Sequence, residues 1–225
     1  MSFPKFESIH ERAAANHGGE AKLQAKLPKP RSATQLQKLG DDRYLAEITR
    51  RVFCAGFVWK IIEHKWANFE HSFVGFDPGI IAAWPDEHLE SLMKDEGIVR
   101  NYIRIRSVRE NAWFVLDIAD EYGSFGDYIA SWPEHNIVGL WADLKKRGSR
   151  LGGMSAGYFL RFVGKDTFLL TPDVTACLVN HAVLDKHNPT AKRDLQQAQD
   201  CFNAWHDETG LPLCQLSRIA SCSVG

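Results

Sequence analysis

The chain has 225 residues, enough for one large domain or two small ones with a buried core. It carries 27 Lys and Arg against 28 Asp and Glu, a formal charge of −1 that excludes a globally basic nucleic-acid binder; anion binding has to come from a local cluster. No apolar run reaches membrane-spanning length and the start, MSFPKFESIHERAAANHGGE, lacks the apolar centre of a secretory signal, so a cytoplasmic protein with no membrane partner is expected.

Residues 1–38 hold few large apolar side chains, and LPKPRSATQ at 27–35 has two prolines that cannot sit inside a helix. They are expected to form an N-terminal arm, extended or partly helical, ahead of a domain over 39–225. DDRYLAEITRRVF then offers Asp41 or Asp42 as an N-cap, with apolar residues at 45, 48, 52 and 53 on one helical face. Phe57, Val58, Ile61 and Ile62 carry that periodicity past Gly56, and Trp66, Phe69 and Phe73 extend it to the GFDP turn at 75–78. PDEHLESLMKDEG at 85–97 places Pro85 near a start, acids in the first turn and Gly97 at the stop. A helix over 100–122 follows, with Gly123 as its C-cap. Further helices are predicted at 137–147, 154–163, 173–184, 190–208 and 212–221, and LRFVGKDTFLL is the one stretch that could be extended. The pattern is all-α with short connections.

The five cysteines are scattered without C-x-x-C spacing, which points to buried free thiols. His181 and His187 have no partner cysteines at ligand spacing, so neither a metal nor a cofactor is expected.

Residues 145–158, KKRGSRLGGMSAGY, run a basic cluster into glycines just before an apolar helical pattern. Glycines there let a backbone approach a phosphate, and amides opening the next helix face outward as donors. By local chemistry alone the stretch reads equally as a phosphate-binding turn or as a plain helical hairpin with a basic cap.

Spacing adds a resemblance. Residues 151–158, LGGMSAGY, resemble the Leu-x-Gly-x-Gly hairpin of the helix-hairpin-helix DNA glycosylase superfamily, with Ser155 where the second glycine usually stands. FLLTPDVTACLV places Asp173 where that superfamily carries an aspartate at the start of the next helix. FDPGIIAAWPDEHLESLMKDEGIVRNYIRIRSVRENA at 76–112 resembles the middle of the type I DNA-3-methyladenine glycosylases, including their FDP turn, their Gly-Ile-Ile-Arg segment (here Gly97, Ile98, Val99, Arg100) and Asn111-Ala112. Their LKKRG run stands at 144–148, and CAGFVW at 54–59 is similar to their Ala-Gly-Leu-Ser-Trp. The likeness covers residues 40 to about 165.

The resemblance implies an all-α helix-hairpin-helix DNA glycosylase fold, a multi-helix globule with a base pocket between two helical lobes. It implies a monofunctional enzyme of base-excision repair that binds double-stranded DNA as a monomer and hydrolyses the N-glycosidic bond of a flipped alkylated purine. Asp173 is the expected catalytic carboxylate, with its role as an N-cap the plainer alternative. Glu47 is the second carboxylate candidate, although a surface ion pair with Arg51 is favoured for it. Trp59, Phe53 and Arg51 are the base-binding candidates, with Trp66 a further aromatic; Lys145, Lys146, Arg147, Arg150, Gly153 and Ser155 would hold DNA phosphates. Arg100 and Arg104 are expected to face DNA or solvent, and Tyr158 to join the core. Position 157, where lyase-type relatives carry a nucleophilic lysine, is glycine.

Three features depart from the type I pattern. Arg51 stands where those enzymes carry a glutamate that hydrogen-bonds the purine, their N-terminal tyrosine-histidine segment is missing, and so are their zinc ligands. The alternatives are therefore a glycosylase for a different damaged base, a protein that holds DNA without cutting, or a helical scaffold for a protein partner.

Overall fold

The computed structural model describes residues 3–224, and every regular element among them is helical. In chain order these are α1 (Phe6–Asn16), α2 (Glu20–Gln24), α3 (Ala33–Gln37), α4 (Asp41–Cys54), α5 (Trp59–Ser72), α6 (Pro78–Ala82), α7 (Asp86–Ser91), α8 (Tyr102–Tyr122) and α9 (Phe125–Ser131). Then come α10 (Ile137–Arg147), α11 (Ser155–Val163), α12 (Pro172–Asn180), α13 (Lys192–Thr209) and α14 (Leu213–Cys222). They form two compact units, one of residues 32–132 with 142–163, the other of residues up to 31, 133–141 and 164 onward.

In the first of these, α4 packs on α8 and α11, while α8 also packs on α6 and α9. The apolar stripe of α4 buries Leu45, Ile48, Val52 and Phe53 completely or nearly so. Phe53 meets Phe69 edge-on at 4.8 Å, and Trp66 stacks on Phe76 at 5.3 Å with Arg50 over its other partner distance at 4.0 Å from the ring centroid. Each large side chain so buried contributes about 1.5–3 kcal/mol.

The helical periodicity across Gly56 does not continue as one helix. Arg104 on α8 donates from Nη1 to the Phe53 carbonyl at 2.8 Å and from Nη2 to the Ala55 carbonyl at 2.6 Å, satisfying acceptors that the end of α4 leaves open. Gly56 takes a φ of 73°, and α5 starts afresh at Trp59. Arg104 thus faces neither DNA nor bulk solvent, and Phe57, Val58 and Ile61 become exposed instead of joining the core. Arg100 is exposed, 3.6 Å from Glu96.

Neither Asp41 nor Asp42 caps α4, whose N-cap is Gly40 without a side-chain bond. Asp41 accepts from the Phe125 amide at the start of α9, and burial pushes its carboxyl above the usual range. The acid-rich helix ends early at Ser91 and continues as a 3-10 turn over Leu92–Lys94.

In the other unit, α1 packs on α14, which also meets α12 and α13. The residues expected as an arm hold α1, α2 and α3; on α1, Phe6, Ile9 and Ala13 are buried. Trp205 is fully buried and donates to the Pro4 carbonyl at 2.9 Å. LRFVGKDTFLL is no strand: α11 runs to Val163, and the buried stretch that follows is irregular. Asp166 within it accepts from the Leu213 and Cys214 amides, both at 2.8 Å, closing the N-terminus of α14. All five cysteines are buried and free. Among the described residues no helix is long and apolar enough to cross a membrane, and no cluster of His, Cys, Asp and Glu could hold a metal.

Candidate nucleic-acid interface

α10 ends on Lys145, Lys146 and Arg147, and residues 148–154 turn the chain into α11. Gly148 is required by close approach: a Cβ there would lie 2.6 Å from Leu151 Cδ1 and 3.0 Å from the Leu144 carbonyl. Leu151 is fully buried and pins the turn from within. Asn111 on α8 clamps it from behind, donating to the Ser149 carbonyl at 3.0 Å and accepting from the Ser149 amide at 2.8 Å. The hairpin is therefore held by the core, which leaves its tip preorganised.

At that tip Gly153 has a φ of 59° and open space on its Cβ side. The amides of Gly153 and Met154, both exposed residues, donate to no group among the described residues, whereas the Ser155 amide donates to the Gly152 carbonyl at 3.2 Å. Lys145, Lys146 and Arg150 are exposed. Arg147 is not available in the same way: it makes a fork to Glu121 on α8, at 2.6 Å and 3.0 Å, and that bond raises its already high pKa.

Beside the hairpin lies a cleft of about 470 Å³, within the size range of small-molecule sites. The end of α4 supplies Arg51, the start of α5 Trp59, and the hairpin with α11 Gly152, Met154, Ser155 and Tyr158. Trp59 meets Tyr158 edge-on at 5.2 Å and Phe162 at 5.8 Å, and it keeps 38% of its surface exposed. Tyr158 thus belongs to the cleft, not to the core. The break at Gly56 is what brings Trp59 here, since a continuous helix would carry it elsewhere around the axis.

Arg51 forms one end of the lining. Its side chain is 2% exposed, with Nε 2.6 Å from Glu47 Oε1 and Nη2 3.7 Å from Glu63 Oε1. Its guanidinium lies 3.9 Å from the Phe162 ring centroid and 4.9 Å from that of Trp59. The Glu47–Arg51 pair is buried, which corrects its expected place on the surface; burial pushes the Glu47 carboxyl up, against the downward pull of Arg51 and Arg50. Glu47 is absent from the lining.

Two other base-binding candidates lie in the core. Phe53 has no exposed surface, and Trp66 is 9% exposed with Nε1 donating to Glu70 at 2.9 Å. Both sit on the inner stripe of their helices, a position that periodicity could have distinguished from the cleft face. Asp173 belongs to the other unit, in the first turn of α12. Thr171 is the N-cap, accepting from the Val174 amide at 3.4 Å, so Asp173 is not needed as one. It is exposed and accepts from Ser221 Oγ at 3.3 Å.

A model of the methyladenine glycosylase family matches residues 36–154, over half of the chain. DNA-3-methyladenine glycosylase 1 of Escherichia coli is 32% identical over 81 residues, 36% of this chain, and the match spans 43% of that relative's length. Among solved structures, 3-methyladenine DNA glycosylase I of Staphylococcus aureus is similar at 23% identity with a TM-score of 0.51, over 56% of this chain and 77% of that one. The 8-oxoguanine DNA glycosylase of Methanocaldococcus jannaschii aligns over 94% of this chain and 91% of its own, at 16% identity and a TM-score of 0.56. At these identities the structural likenesses speak to the fold alone.

Proposed function

The chain belongs to the methyladenine glycosylase family and has the helix-hairpin-helix DNA glycosylase fold, and from these premises we propose that it is a monofunctional DNA glycosylase for alkylated purines. The observation that carries the reading is the cleft between Arg51, Trp59 and Tyr158 beside a hairpin with open amides and exposed lysines. A base in a duplex is reachable only when flipped out, and it is then held by stacking and by hydrogen bonds to its edge. The hairpin amides with Lys145, Lys146 and Arg150 hold phosphates, which fixes the register of the DNA without reading its sequence. Trp59 supplies the stacking surface.

In the reaction the C1′–N bond breaks with its electron pair leaving on the base, positive charge develops on the sugar, and water adds at C1′ and loses a proton. The Asp173 carboxylate is assigned to that charge and to the water. α11 carries no lysine, so no imine with the sugar forms from it and the product is an abasic site. All of these groups come from one chain, so a monomer suffices.

The test is release of free bases from methylated duplex DNA, separated by chromatography against an enzyme-free control. Binding without release of any base would turn the reading to a protein that holds lesions without cutting them.

Two further outcomes are expected. Trp59→Ala removes a stacking contact of about 1–3 kcal/mol, lowering kcat/KM for base release by about tenfold to a hundredfold. Unchanged kcat/KM removes Trp59 from the pocket. Neutralising Lys145, Lys146 and Arg150 together to glutamine reduces the slope of log K against log salt by about two to three, whatever the duplex sequence. A slope equal to that of the unmodified protein places the DNA elsewhere.

A further inference from the structure

The polar chemistry of the cleft bears on which purine it accepts, a question that rests on the glycosylase reading above. Of the side chains that line the cleft, none is a carboxylate. Arg51 is there, deeply buried, and its Nη1 has no hydrogen-bond partner among the described residues. A guanidinium has donors only and cannot lose its charge, so it is satisfied by an acceptor and by nothing else. A buried donor left without an acceptor is costly, which makes Nη1 a selecting group and not a neutral wall.

We infer that the cleft prefers purines with an oxo group at C6, the alkylated guanines, over alkylated adenines with an amino group there. Guanine presents O6 as an acceptor on the edge where adenine presents the N6 amino donor. Nη1 can donate to the first and faces the second donor to donor. Alkylation at N7 or N3 leaves O6 untouched. The positive charge that alkylation puts on the base in DNA does not overturn the preference, because Glu47 at 2.6 Å balances the Arg51 charge and the pair meets the base mainly as a donor. Ser155 and Tyr158 supply hydroxyls that serve either edge, and the discrimination therefore comes from Arg51.

The experiment uses the full chain on duplex DNA treated with dimethyl sulfate, which carries both methylguanines and methyladenine, with each released base quantified against its content in the DNA and against an enzyme-free control. Release of methylguanine over methyladenine by about tenfold or more is expected, the scale of discrimination from one well-made contact to a base edge. Glu47→Gln/Arg51→Gln keeps the site neutral and puts an amide, donor and acceptor in one, in place of the guanidinium. In it the ratio falls toward one. Methyladenine as the main product of the unmodified protein overturns the inference and leaves the glycosylase reading standing, whereas release of neither base overturns both. The ratio for the unmodified protein decides the matter even if the double variant does not fold.

Discussion

Asp173→Asn lowers base release by about two to four orders of magnitude while duplex binding is largely retained. The reasoning starts from what the side chain does not do. Thr171 caps α12, so Asp173 in the first turn is spared for chemistry, and its one hydrogen bond, from Ser221 Oγ, is one that the asparagine oxygen also accepts. Because the residue is exposed, the change in folding stability stays within about 0.5 kcal/mol, which separates lost chemistry from lost structure. The charge is the only thing removed, and charge is what a developing sugar cation needs. Base release under single-turnover conditions measures the first effect, fluorescence anisotropy with labelled duplex the second, and a melting curve the third. Turnover equal to that of the unmodified protein would move the carboxylate role off Asp173.

How far the sequence discloses this arrangement depends on what each residue type leaves open. Helix interiors were legible because their apolar spacing repeats, and α10 lies at 137–147 as its periodicity predicts. Helix ends were less so. Asp41 looks like a cap beside Gly40, yet its carboxylate is claimed by the Phe125 amide, a partner 84 positions away that no local pattern announces. The break after Cys54 has the same origin: Phe57 and Ile61 keep helical spacing, and only the Arg104 fork from α8 ends the helix there.

The cleft shows the same division. Trp59 was placed by a motif, whereas Tyr158 and Trp66 exchanged their expected roles, because an aromatic ring gives no sign in the sequence of which side of a helix meets a neighbour. Arg51 was visible as a departure from the family's glutamate. Its burial was not, since an i,i+4 pair of opposite charges is more often a surface feature.

That burial makes the Glu47–Arg51 pair the site of the largest expected stability change. Arg51→Met alone is predicted to destabilise the protein by about 3–5 kcal/mol, since it strands the Glu47 carboxylate in a site already shielded from water. Glu47→Gln/Arg51→Met recovers most of the loss, because two charges are removed together and the hydrocarbon of methionine still packs on Phe162 and Trp59. The dependence on pH gives a second signature. Burial already holds the Glu47 carboxyl above its ordinary value, with Arg51 the leading opposing pull. A carboxyl whose folded-state pKa exceeds its unfolded one favours folding where it is protonated, below the unfolded value, and that contribution is lost as pH rises through the folded value. Removing Arg51 lifts the folded value further, so the deficit of Arg51→Met against the unmodified protein is small at about pH 4 and widens toward about pH 8. The double variant, with no carboxylate at 47, shows no such widening. Chemical denaturation of all three proteins across that range measures it, and a deficit independent of pH would mean that lost packing, and not the stranded charge, accounts for the effect of Arg51.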